Sequence, residues 1–422
     1  MLLKANKGRI LNNLNILKKF NSCPEQEGIT RALFSKAELE ARNYVKNLMK
    51  QAGLLVEEDA IGNIYGTLMG SNPDLTPVWS GSHIDTVRNG GMYDGMVGVI
   101  GAIESCRIIK ENGINHQRNI VVLVFTSEEP TRFGIGCIGS RALAGHLSLE
   151  ETKRLVDEQG VSLYDELVRL GYLEKDYSEI VKEKGSVFAG VELHIEQAPV
   201  LEQLNCHIGI VEAICAPTYI NVVLEGQQEH AGSTPMNARH DAMAAACEIV
   251  LKIESLARSY GNNHTVATVG RMLPFPNSSN VIVGKVEFSI DIRDISEETK
   301  TELTKKICTY IDTVAAIRDL QASYCITADD IPHSSDLGIV KVIEECCTRR
   351  GISANKMISG AYHDSLFVAE FAPMGMIFVP SRNGISHDPD EFTDSDDIVL
   401  GTEVLADTLL SLSNSQEAND NE

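Results

Sequence analysis

Five short segments of this chain gather residues that hold metals and move protons. They are Gly81-Ser-His-Ile-Asp-Thr86, Gly90-Gly-Met-Tyr-Asp-Gly95, Thr126-Ser-Glu-Glu129, Glu192-Leu-His-Ile-Glu-Gln197 and Gly384-Ile-Ser-His-Asp388. Neutral imidazole with carboxylate is the donor set suited to Zn²⁺, Mn²⁺ or Co²⁺, and it needs no thiolate. A single histidine at a strand end reads most simply as a structural residue. Three histidines and several acids concentrated in five segments read as a metal site. Asp85 stands two residues from His83, so on an extended strand both side chains face the same way. Asp85 is therefore expected to hold the second ring nitrogen of His83 and fix its tautomer. Glu128 and Glu129 are adjacent and must diverge, so one can bind metal while the other takes a proton from water. Residue type alone leaves open which does which.

The elements that must position these groups have their own signatures. The runs 77–83 and 119–125 are apolar and end in small or acidic residues. The second has the texture of a strand buried on both faces. A crossover helix over 96–110 connects them, and strand–helix–strand succession implies an α/β sheet with its chemistry at the carboxyl ends of the strands. The first 55 residues read as helical. A second texture begins near Ile214, with alternating strands at 219–225, 265–269 and 285–293 and helices over 241–257 and 296–315. With a closing strand over 321–327, the order β-α-β-β-α-β is that of a ferredoxin-like sandwich. The expected organisation is an α/β metal-binding catalytic domain, discontinuous over 1–213 and 328–422. A ferredoxin-like α+β domain over 214–327 is inserted in it. The tail beyond Leu412, mostly Ser, Asn, Gln and acids, reads as disordered.

Charge and composition exclude other classes. At 422 residues the chain is nearly three times the ~150-residue domain prior, which favours two domains. Its 37 Lys and Arg stand against 59 Asp and Glu, a net charge of −22. That argues against binding nucleic acid, or the anionic surface of a membrane, because both need clustered cations. The ten cysteines are scattered without a Cys-x-x-Cys pair, and Lys4, Lys7, Arg9, Lys18 and Lys19 interrupt any secretory apolar start. No apolar run approaches the ~20 residues that span a bilayer. A reduced cytoplasmic protein is expected. Cys137, Cys346 and Cys347 read as core or structural thiols, and His207, His240, His264 and His333 as surface or cap residues.

Four longer motifs carry a resemblance that covers essentially the whole chain. Gly-Ser-His-Ile-Asp-Thr, Val-Glu-Leu-His-Ile-Glu-Gln, His-Ala-Gly-Ser-Thr-Pro-Met and Ser-Gly-Ala-Tyr-His-Asp-Ser, beginning at Gly81, Val191, His230 and Ser359, resemble the M20-type metallopeptidase superfamily in its amidase, hydantoinase and carbamoylase branch. The resemblance implies two divalent ions per subunit (Zn, Mn, Co or Ni). His83, His194, Glu129 and His387 would be ligands, and Asp94 the carboxylate between the ions. It implies that Glu128 is the general base, with Asp85 in catalytic support. It further implies that the inserted domain is a lid through which a homodimer forms, with His230 reaching the partner's site. Asn280 and Arg293 would hold a substrate carboxylate, and Gln197 and His363 would supply polar groups beside it. The activity implied is hydrolysis of the ureido C–N bond of a small carboxylate. An N-carbamoyl-L-amino acid comes first, allantoate or ureidoglycolate second, and a dipeptidase or aminoacylase activity behind both. Ala198 stands where the family usually has Gly, and Val283 where Pro is common. Cys215-Ala-Pro-Thr-Tyr219 replaces a Gln-Arg pair frequent in allantoate enzymes, which weighs against allantoate and leaves the identity of the ureido substrate open.

Overall fold

The computed structural model describes residues 2–262 and 264–415. Two compact units divide it, one of Met1–Glu212, Ser335–Met357 and His363–Glu422, the other of Ala213–Ser334 with Ile358–Tyr362. In chain order the strands are β1 (Leu55–Glu58), β2 (Ile64–Leu68), β3 (Val78–His83), β4 (Ile120–Phe125), β5 (Ala189–Ile195), β6 (Ile208–Ile214), β7 (Ala216–Glu225), β8 (Glu229–His230) and β9 (Val266–Phe275). They continue with β10 (Val281–Ile282), β11 (Lys285–Asp294), β12 (Gln321–Asp329), β13 (His333–Ser334), β14 (Ala354–Ser359) and β15 (Met374–Val379).

In the first unit the strands lie in the order β1-β2-β4-β3-β5-β15-β6, with β14 also paired to β6. The central strands β4, β3, β5 and β15 run parallel to their neighbours in that group. Every residue of these four is buried, which is why β4 and β15 are continuous apolar runs and not alternations, while β3 and β5 interrupt theirs with Ser82, His83, Glu192 and His194. The two faces of β4 enter different cores. Ile120, Val122 and Val124 join one with Val99, Ile103 and Leu405, while Val121, Leu123 and Phe125 join another with Trp79 and Phe371. Each fully buried side chain of this size contributes about 1.5–3 kcal/mol. The helix Met96–Glu111 lies on the first face beside Ser395–Ser413. The carboxyl ends of β3, β4 and β5 are thus fixed from both sides.

The helical reading of the first 55 residues is corrected in part. Helices occupy Lys7–Leu17 and Lys36–Gln51, and 18–35 between them is irregular. That stretch is tied down by a buried guanidinium instead. Arg31 donates to the carbonyls of Leu17 and Ile84 at 2.6 and 2.5 Å. A stretch with no helical periodicity can still be ordered by one buried arginine that donates to carbonyls on several segments.

The second unit is built on the antiparallel order β12-β7-β11-β9. Ile220, Val222, Leu224, Val286, Phe288, Ile290 and Ile292 alternate onto one face and pack with the helices Ala242–Arg258 and Glu297–Ile317. Ser296 caps the second helix by accepting from Thr299 N–H. Ala213 and Ile214, the last residues of β6, pair with β13 in this unit. The helix Ser395–Ser413 runs past Leu412 to a C-cap at Asn414, so the expected disorder does not begin there. Residues 416–422 lie outside the described residues. Among the described residues no helix is long and apolar enough to cross a membrane.

Candidate functional site

Three parallel strands deliver polar side chains at their carboxyl ends. His83 closes β3, Glu128 and Glu129 follow the end of β4, and His194 is the next-to-last residue of β5. Asp94 precedes Gly95, the N-cap of the helix Met96–Glu111. Gly95 has φ +68°, and a Cβ built on it would meet the His83 ring at 2.5 Å. Only glycine lets the helix begin this close to the imidazole.

Two groups of donor atoms form around the two oxygens of Asp94. His194 Nε2 lies 3.1 Å and His83 Nε2 3.4 Å from Oδ1. His387 Nε2 lies 3.2 Å from Oδ2 and 3.4 Å from Glu129 Oε1. His83, Asp94 and His194 thus make one triad able to hold a cation, and Asp94, Glu129 and His387 make another.

Hydrogen bonding decides the tautomers of the two buried histidines. His83 Nδ1 is 3.1 Å from the carbonyl of Asp85, and His194 Nδ1 is 2.9 Å from that of Ile195. A carbonyl can only accept, so in the neutral rings each Nδ1 carries the proton and each Nε2 presents a lone pair towards Asp94. The backbone N–H of Gly95 donates to His194 Nε2 at 3.2 Å, as that tautomer requires. His83 Nε2 is buried without a hydrogen-bond partner. Unprotonated imidazole nitrogens converging on a buried carboxylate are the donor set for a divalent cation, so these residues fit the metal that their types imply.

Burial shapes the acids as well. It pushes the Glu128 carboxyl well above the ordinary carboxylate range, and the charges of Glu129, Asp364 and Asp94 add to it against the pull of His83. Burial, then the charge of Asp94, lifts Glu129 to about 7. Hydrogen bonding to Asp94 lifts His387 to about 9. Crowded buried acids of this kind favour either bound protons or a compensating cation.

The reading of Asp85 is corrected in detail. The strand ends at His83, so period-2 alternation does not place Asp85. Its carbonyl oxygen, not its carboxylate, is the nearer partner of His83 Nδ1, the carboxylate being 3.4 Å away. The carboxylate instead accepts the backbone N–H groups of Glu128 at 3.2 Å and Glu129 at 3.0 Å. One residue therefore fixes a histidine ring with its backbone and the Glu128-Glu129 loop with its side chain.

Gln197 donates from Nε2 to Asp94 Oδ2 at 2.8 Å. His363 packs its ring 4.5 Å from that of His194. Ser127, Gln197 and His387 all have positive φ (53°, 58° and 57°). Left-handed backbone in non-glycine residues costs of order 1 kcal/mol or more each, and at these three positions the surrounding structure has to impose it.

His230, Asn280 and Arg293 lie in the second unit. β8 pairs with β10 so that His230 is opposite Val281, next to Asn280. His230 Nδ1 accepts the N–H groups of Gly232 and Ser233 at 3.0 and 3.2 Å, which leaves the ring proton on Nε2 as an exposed donor. It does not cap the following helix; Asp241 does, accepting from Met243 and Ala244. Arg293 forks onto Asp291 at 3.1 Å and reaches Tyr219 Oη and the carbonyl of Gly360. Asp291 carries no motif that sequence reasoning singled out.

Two carboxylates of the first unit were also missed. Glu192 accepts from Ser82 Oγ at 2.7 Å and from Ser365 Oγ, and Glu391 accepts the N–H groups of Tyr93 and Asp94. Glu192 sits inside a recognised segment. Glu391 is three positions beyond one, and nothing in the sequence links it to Tyr93. Cys137, Cys346 and Cys347 are buried. Exposed His207 pairs with Asp397 at 2.6 Å.

Residues 79–411 match the model of peptidase family M20/M25/M40. The chain is 43% identical to the ureidoglycolate hydrolase of Arabidopsis thaliana over 95% of this chain and 86% of that protein. It is 39% identical to the N-carbamoyl-L-amino acid amidohydrolase of Geobacillus stearothermophilus over 91% and 93% of the two chains. Its structure is similar to that of an amidase of the hydantoinase/carbamoylase family from Burkholderia multivorans. There the TM-score is 0.88 at 31% identity, covering 98% of this chain and 99% of the other.

Proposed function

This chain belongs to peptidase family M20/M25/M40, and we propose that it is a cytoplasmic amidohydrolase that cleaves the ureido C–N bond of a small carboxylate. The observation that carries the reading is the convergence of His83, Asp94, Glu129, His194 and His387, with Glu128 Oε2 only 3.9 Å from His83 Nε2. Divalent ions held by those five residues (Zn, Mn, Co or Ni) would supply Lewis acidity, polarising the scissile carbonyl and making water a better nucleophile.

The protein's own groups do the rest. Glu128, whose burial raises its affinity for a proton, takes one from the attacking water and delivers it to the leaving nitrogen. Asp85 keeps Glu128 and Glu129 in place through their backbone N–H groups. Asp94, with Gln197 on its second oxygen, holds His83, His194 and His387 in register. In a homodimer joined through the inserted domain, His230 reaches the partner's site and offers its Nε2 proton to the developing oxyanion, Arg293 and Asn280 hold the substrate carboxylate, and Gln197 and His363 bind polar groups of the ureido end. An Arg–carboxylate fork suits an amino-acid-like ligand. With an N-carbamoyl-L-amino acid, one water converts the substrate to amino acid, CO₂ and ammonia.

A second reading is favoured by the similarity to the Arabidopsis enzyme, whose name specifies ureidoglycolate. The two are separated by kcat/KM for ammonia release from N-carbamoyl-L-amino acids, their D-enantiomers, ureidoglycolate and allantoate, with Mn²⁺ added. Preference for the L-carbamoyl compounds supports the first reading and preference for ureidoglycolate the second. Cleavage of dipeptides or N-acyl amino acids with no ammonia from any ureido compound would overturn both.

A further inference from the structure

We propose that Glu391 is a positioning residue that registers the loop carrying His387 against the loop carrying Asp94. The proposal rests on the reading of Asp94 and His387 as metal ligands. Apart from Gln197, whose Nε2 lies 3.5 Å from His387 Nε2 and 3.4 Å from Ser386 Oγ, His387 has little else to hold it. Its side chain is 50% exposed, so packing does not fix it, and its backbone sits at φ +57°, a conformation that an L-residue leaves unless neighbours impose it. Yet its Nε2 is held within 3.2 Å of Asp94 Oδ2 and 3.4 Å of Glu129 Oε1.

Glu391 supplies the missing constraint. It is 4% exposed, and its two oxygens are used on different loops. Oε1 accepts the backbone N–H groups of Tyr93 at 2.8 Å and Asp94 at 3.1 Å. Oε2 accepts the hydroxyl of Ser386, the residue before His387, at 2.9 Å. Ser386 Oγ also lies 3.1 Å from Asp94 Oδ2, so its one proton joins His387's loop either to Asp94 directly or to the carboxylate that holds Asp94's backbone.

The route is built for this side chain. A Cβ on Gly91 would lie 2.2 Å from Glu391 Oε1, so the first loop leaves space that only the glutamate fills. The second loop closes on itself where Arg382 N–H donates to the carbonyl of Phe392 at 2.8 Å. The Phe392 ring then meets Tyr93 edge-on at 5.9 Å. Buried carboxylates that bond two loops at once orient the groups on those loops, and loss of such a partner typically costs 10–100-fold in metal affinity.

The test is the affinity of the full-length, metal-free protein for Zn²⁺, read by competition with a chromophoric chelator. The melting temperature of the metal-free form is followed alongside. Glu391→Ala is expected to weaken Zn²⁺ binding by about 10–100-fold. Glu391→Gln keeps one oxygen for the two N–H groups and can give an amide proton to Ser386 Oγ, so it is expected to restore most of the affinity. Wild-type affinity in Glu391→Ala would overturn the proposal, as would a Gln variant as weak as the Ala variant, since charge and not hydrogen bonding would then matter. Should Glu391→Ala fail to fold, Ser386→Ala cuts the same link on the His387 side and is read by the same affinity criterion. A parallel His387→Ala variant separates the two readings. If it binds Zn²⁺ like wild type, the ligand assignment fails and takes this proposal with it. If it binds weakly while Glu391→Ala does not, only this proposal fails.

Discussion

Glu128 and Glu129 are neighbours in sequence with different surroundings, and that difference predicts different phenotypes. Glu129 Oε1 faces His387 Nε2 at 3.4 Å within a potential metal triad, whereas Glu128 belongs to neither triad around Asp94. Glu128→Gln keeps shape and an acceptor but cannot take a proton. It is expected to lower kcat by at least ~10², within the 10²–10⁴ typical of a positioned general base, with metal content unchanged. Glu129→Gln is expected to lose metal. Assay of kcat beside metal analysis of each purified variant checks this, and exchanged phenotypes would reverse the two assignments. These groups were legible because ligand-type residues are short-range signals: His83 with Asp85, and Glu128 with Glu129, announce themselves within a few positions. Glu391 was illegible because its partners Tyr93 and Asp94 are almost 300 residues away in the chain, and a lone glutamate after Asp388 and Asp390 looks like a solvated acid. Asp85 was half legible. Its importance followed from spacing, but which of its atoms does what depends on where β3 stops.

Among the elements, the start of the helix Met96–Glu111 is the tightest point. Gly95→Ala would hold a residue with a Cβ at φ +68°, at roughly 1–2 kcal/mol, and would drive that Cβ into the His83 ring. The expected outcome is a lower melting temperature together with weaker metal binding, because the helix and the imidazole cannot both keep their places. Unchanged stability and metal affinity would mean that the close approach does not fix the site. The strands β3 and β4 were readable as runs because burial on both faces leaves no alternation, and the helix Met96–Glu111 between them was readable from its own run, whereas β5, interrupted by Glu192 and His194, was not recognised as a strand. Pairings of two residues, β8 with β10 and β13 with the end of β6, leave no periodic trace. The irregular stretch at 18–35 was read as helix since its order comes from Arg31, a long-range bond donor that hydrophobic patterning does not register.

At the scale of the whole molecule the proposed homodimer, joined through the inserted domain, makes a sharp prediction. If His230 serves the partner's site, inactive His230→Ala mixed with inactive Glu128→Gln should regenerate activity, because a mixed dimer holds one site with an intact Glu128 from one chain and an intact His230 from the other. Loss of an oxyanion donor costs roughly 10²–10³ in kcat, so recovery stands well above either parent. Heterodimers verified by mass that remain inactive would confine His230 to its own chain or remove it from the reaction. The inserted sandwich could be read from the order of its elements, while the five residues Ile358–Tyr362 that join the second unit lie far from it in sequence and gave no sign. The proposed ureido hydrolysis depends on divalent ions held by His83, Asp94, Glu129, His194 and His387. Its most direct test is ammonia release from N-carbamoyl-L-amino acids and ureidoglycolate by protein stripped with a chelator, before and after Mn²⁺, Co²⁺ or Ni²⁺ is restored. Activity is expected to be lost on stripping and regained with metal; full ammonia release from the metal-free protein would rule out a metal-dependent reaction.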